Sequence, residues 1–81
     1  MNDHQDSENF SYEREWKEIY DLLHEAERKQ NQHLLALQNT RLTKKQKVQH
    51  MRDYKGLQGV IHALRWTLGD LHMTRDKVLG I

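Results

Sequence analysis

The sequence predicts an all-α protein, a long helical hairpin that associates into a bundle, and three observations carry that prediction. The 81 residues include no Pro and only four Gly, and they are rich in Leu, Glu, Lys, Gln and Arg, which favour helix over strand. Apolar residues recur at spacings of three and four in two long stretches, the period of one helix face. Between the stretches, "QNTRLT" at 38–43 is the one central break.

The first helix is expected over about 11–38. Tyr12, Trp16, Ile19, Leu23 and Ala26 form its stripe, and Gln30, Leu34 and Leu37 continue it. Acids crowd its first turns and Arg28 and Lys29 follow, the order a helix dipole favours. Asn39 and Thr40 can end this helix, and Thr43 with Gln46 forms a T-x-x-Q capping box that starts another. Lys44 and Lys45 in that first turn oppose the dipole, which leaves one unbroken rod as the alternative.

The second helix is expected from Lys44 to about Leu68. Its seam of Tyr54, Leu57, Ile61, Leu64, Leu68 and Leu71 alternates by three and four, too briefly for a long coiled coil. Gly69-Asp70 offers a C-cap and then a new N-cap. A short third helix is therefore expected over about 71–79, with Leu71, Val78 and Leu79 as its apolar residues. Residues 1–10 lack periodicity and read as a disordered acidic arm ahead of a single helical domain, 11–81.

Several function classes are disfavoured. No apolar run approaches the roughly 18 residues of a membrane span, and the polar, acidic N-terminus is the opposite of a secretory or transit signal. The absence of Cys fits a reducing compartment, so a cytoplasmic protein with no membrane partner is expected. A chain this short builds little core and usually needs a staple. Without disulfides, self-association is the expected one, as a homodimer or higher oligomer resembling a four-helix bundle.

Six histidines (His4, His24, His33, His50, His62, His72) invite a metal hypothesis, but no two share i,i+3 or i,i+4 spacing on one helix. "HEAER" at 24–28 begins like a zinc motif, yet Arg28 replaces its second His. No Cys nucleophile and no Gly-rich phosphate loop is present, so neither an enzyme nor a cofactor is expected. Gly56 and Gly59 form a small-residue strip with Ala63. Mid-helix Gly costs about 1 kcal/mol relative to Ala, which points either to close approach of another helix or to a kink or helix start near 57. Trp16, on the stripe, is expected in the core. Trp66 falls off the seam and is expected to fill a second face, toward a dimer or third helix, or to stand exposed as a binding anchor.

Net charge is +1, but residues 1–27 carry nine acids and two bases while residues 28–81 carry eleven bases and three acids. A fold-back at 39–43 brings residue i beside roughly 83 minus i. That pairing gathers Arg28, Lys29, Arg41, Lys44, Lys45, Lys47, Arg52 and Lys55 at the turn, against Asp53 alone, and the acids at the opposite end. The function expected is a non-enzymatic adaptor, inhibitor or assembly protein that binds a protein partner and itself. The alternative is a small nucleic-acid-binding protein using the basic region 41–55, where phosphate contacts give affinity with little sequence choice.

Candidate partner or nucleic-acid contacts are Arg41, Lys44, Lys45, Lys47, Arg52, Lys55 and Trp66. The candidate core or oligomer seam is Trp16, Ile19, Leu23, Tyr54, Leu57, Ile61, Leu64, Leu68 and Leu71. In texture the short, cysteine-free, charged helical chain resembles small bacteriophage-encoded accessory or assembly proteins. That resemblance carries over no residue.

Overall fold

A computed structural model describes Phe10 and residues 13–81, and the expected acidic arm and Tyr12 lie outside or almost outside the described residues. Three helices follow in order: α1, Trp16–Leu37; α2, Lys44–Thr67; and α3, Arg75–Leu79. The long pair packs side by side as a hairpin, and α3 folds back on α2.

Helix α1 starts at Trp16, later than the expected residue 11, because its N-terminal backbone is satisfied there. The Glu18 carboxylate accepts the Glu15 N–H at 2.9 Å, placing an acid where the dipole is positive. The helix ends through short i→i+3 bonds, Gln38 N–H to the Leu35 carbonyl and Asn39 N–H to that of Ala36, both 3.1 Å. Asn39 then shapes the turn, its side-chain oxygen accepting the Arg41 N–H at 3.0 Å.

The capping box at the break forms and the chain bends, so the unbroken rod is excluded. Thr43 Oγ1 accepts the Gln46 N–H at 3.1 Å while Gln46 Oε1 accepts the Thr43 N–H at 2.9 Å. Thr43→Ala should cost about 1 kcal/mol, read as a lower urea midpoint with unchanged slope. An unchanged midpoint would mean that the turn is held elsewhere.

Helix α2 runs unbroken through Gly56 and Gly59, which removes a helix start near 57. It stops at Gly69, whose φ of 88° lets the Asp70 N–H reach back to the Arg65 carbonyl at 2.9 Å. Asp70 does not start the third helix, contrary to the sequence reading. Its carboxylate accepts the His72 N–H at 2.9 Å, and its carbonyl takes the Met73 N–H at 3.1 Å, closing a separate turn. The cap is Thr74, which accepts the Lys77 N–H at 3.2 Å, and α3 is correspondingly short.

The core is small. Leu23 and Ala26 of α1 and Ile61 of α2 are the buried apolar residues among those described, with Leu57, Leu64 and Leu68 packed against them. Ile19 and Tyr54 are half-buried. Two expected core residues are not covered: Trp16 is 66% exposed and Leu71 95% exposed. Gln30 meets Gln58 and Glu27 meets Arg65 across the hairpin, so α2, which ends at Thr67, stops short of Trp16. Leu71 lies beyond the Gly69 reversal, which breaks the helical phase that aligned it with the seam.

Candidate interaction surfaces

The hairpin sorts charge by end. Arg41, Lys44, Lys45, Lys47, Arg52 and Lys55 are all exposed near the turn. Lys44, Lys45 and Arg52 line one open hollow with Val48 and Gln49, whereas Lys47 and Lys55 lie outside it. Neither these six nor Arg28 and Lys29 form an ion pair among the described residues, whose pairs involve Arg14, Lys17, His24, His33 and Arg65. Asp53, the one acid nearby, is engaged by Gln49 at 3.0 Å and faces His33 at 4.0 Å.

At the terminal end the charges are largely paired. Lys17 meets Asp21 at 2.9 Å, and this hydrogen bond holds its ammonium above the usual lysine range. Arg14 meets Glu18 at 3.7 Å. Arg65 bridges three segments, pairing with Glu27 of α1 and, at 3.5 Å, with Asp70 beyond α2. The His72 N–H, and then Arg65, hold the Asp70 carboxyl below the usual range.

A carboxyl depressed by folding stabilises the fold above its unfolded pKa, about 4. That contribution is lost as pH falls through the lower, folded value. Asp70→Asn keeps an acceptor for His72 but removes the charge. It should therefore flatten the acid limb of the stability–pH curve below about pH 4; an unchanged limb would show that Asp70 is not linked to folding.

Two side-chain groups cross the hairpin that same-helix spacing could not reveal. His33 Nδ1 lies 2.9 Å from His50 Nδ1, so one ring donates and the other accepts. Farther along, a directional chain joins all three helices. Gln30 donates to Gln58, the Gln58 amide meets His62 Nε2 at 2.7 Å, and His62 Nδ1 reaches the Lys77 carbonyl at 3.4 Å. In the arrangement where every donor meets an acceptor, His62 carries its proton on Nδ1. Among the described residues, no group of three His, Asp or Glu is placed to hold a metal ion.

Much apolar surface stays open. Trp66 is 48% exposed and forms a hollow with Arg75, Val78 and Leu79, so α3 meets the second face that the sequence assigned to it. Tyr20 is half-exposed, its ring edge-on to His24 with centroids 4.3 Å apart. On the opposite side of the hairpin, Glu18, Leu22, Glu25, Lys29 and His33 share one face of α1, and Asp53, Leu57, Val60 and Leu64 share one face of α2. Members of these strips line a groove in two segments, one around Ile19, Leu22 and Leu64, the other around Lys29, Arg52, Gly56 and Leu57. Among the described residues, no helix is long and apolar enough to cross a membrane. No protein-family model, curated protein or solved structure matches the chain.

Proposed function

We propose that the protein is a non-enzymatic helical interaction module, an adaptor, inhibitor or assembly factor that acts by binding a protein partner and itself. One observation supports this above the others. Three apolar residues are buried, while thirteen large hydrophobic residues among those described remain about 40% exposed or more. Apolar surface on that scale, with aromatic residues such as Trp16 and Trp66 standing open, is characteristic of a surface that another protein covers. The lack of Cys fits work in a reducing cytoplasm.

The test is crosslinked capture with the tagged full chain, compared across variants. Loss of the partner in Trp16→Ala or Trp66→Ala, with capture retained when Lys44, Lys45 and Lys47 become Ala, supports the module. Equal capture by all variants sinks it.

A second reading, nucleic-acid binding, is favoured by the eight bases at the turn end that have no carboxylate partner among the described residues. Polarisation of a labelled mixed-sequence DNA duplex at 50 and 200 mM salt separates the two. A loss of about a thousandfold or more between them marks a phosphate clamp. An absence of binding at 50 mM removes that reading.

A further inference from the structure

The groove between α1 and α2 carries its own instruction about what fills it. Its floor is apolar, built from Ile19, Leu22 and Leu64 toward the termini and from Leu57 toward the turn, with half-exposed Val60 between them in the α2 strip. Its two segments carry unpaired charge of opposite sign where they meet. Glu25 stands at the terminal segment, and Lys29 and Arg52 at the turn segment. None of these three has an ion-pair partner among the described residues, although Arg14 with Glu18 and Lys17 with Asp21 are satisfied nearby. Asp53, at the basic end, is already engaged by Gln49 and His33.

We propose that this groove is closed by a second copy of the chain lying antiparallel to the first, about a two-fold axis that crosses the hairpin near Gly56. This rests on the reading of the protein as an interaction module and names one of its partners. A surface whose two halves carry opposite unpaired charge is complementary to itself only when reversed. The antiparallel pair sets Glu25 of each copy toward Lys29 and Arg52 of the other, twice over by symmetry. A parallel pair would set acid on acid and base on base. At Gly56 a Cβ would meet nothing within 4 Å, so the neighbouring backbone has room to approach. The result is a four-helix bundle in which Leu22, Leu57, Val60 and Leu64 of both copies complete the core the protomer lacks.

Sedimentation equilibrium and spin-label distances test this on the full chain. Glu25→Lys and Lys29→Glu each place like charges across the axis and should weaken self-association about tenfold or more. The triple variant Glu25→Lys/Lys29→Glu/Arg52→Glu restores opposite charges and should return to within about threefold of the parent, since its three substitutions reverse every pair together. Glu25, Lys29 and Arg52 are all exposed, and circular dichroism is the check that each variant keeps its helices. The chain has no Cys, so Gln38→Cys takes a single nitroxide per copy.

The antiparallel pair separates the two labels by roughly 30–35 Å, from 1.5 Å of rise per residue, and a parallel pair brings them within about 20 Å. A monomer at about 100 µM (roughly the top of the range for a specific dimer), a short label distance, or a triple variant as weak as the singles would each overturn the proposal. A monomer that still captures its partner through Trp16 or Trp66 would leave the interaction module standing. Loss of tryptophan-dependent capture with a salt-sensitive antiparallel dimer intact would do the reverse.

Discussion

Ile61→Ala is expected to leave the isolated protein largely unfolded at 25 °C and low micromolar concentration. Ile61 is 5% exposed and is the only buried residue that α2 contributes to the described core, so Leu23 and Ala26 of α1 pack against it from the other side. Removing its branched side chain costs about 2–5 kcal/mol, the transfer of the lost carbons plus the void they leave. A chain of this length has about 4–12 kcal/mol of stability in total, and one with so little buried apolar surface belongs at the low end. Leu35→Ala, at a 55% exposed position, removes comparable carbon and should change stability by about 0.5 kcal/mol or less. Urea titrations followed by circular dichroism compare the pair. Equal losses would mean that Ile61 is not the keystone of the hairpin.

The converse prediction concerns glycine. Gly56→Ala and Gly59→Ala together should stabilise the protomer by about 2 kcal/mol, because each removes the entropic penalty of glycine inside a helix. Nothing opposes the gain within the chain. Both lie in unbroken helix without positive φ, and a Cβ at either meets no atom within 4 Å. Gly69→Ala and Gly80→Ala should do the opposite, since φ there is 88° and 76°. Thermal unfolding at a concentration where the chain is monomeric reads the sign directly. A double variant no more stable than the parent would mean that α2 is strained at these positions.

The hairpin was legible in the sequence because its signals are local. The Thr43–Gln46 box, the residues of the turn and the spacing of Leu57, Ile61, Leu64 and Leu68 each act within a few residues of themselves. Ends were less legible. Trp16 has the right phase for the core, but burial needs a partner helix that reaches it, and phase says nothing of reach. Leu71 and the start of α3 were misplaced because Asp70 used its side chain on His72 and left the cap to Thr74.

The His33–His50 contact escaped for a different reason. Along any one helix no two histidines are suitably spaced. Their numbers sum to 83, the value expected from a fold-back at 39–43, so the same pairing that gathered the bases would have brought them together. The groove was hidden too, because it depends on which charges remain unpaired once the side chains settle.

The six-residue connection between Leu37 and Lys44 has a kinetic consequence. Every pairing across the hairpin can be reached by closing outward from Thr43, each step adding neighbours to those already joined and no distant segment having to arrive first. Topologies dominated by such nested, local encounters fold in microseconds to milliseconds. Opening is resisted most in the terminal halves, where Leu23, Ala26 and Ile61 pack with Leu57, Leu64 and Leu68 and the Arg65 bridge to Glu27 and Asp70 adds to them. The amide protons around Leu23 and Ile61 should therefore exchange more slowly than those beside the turn.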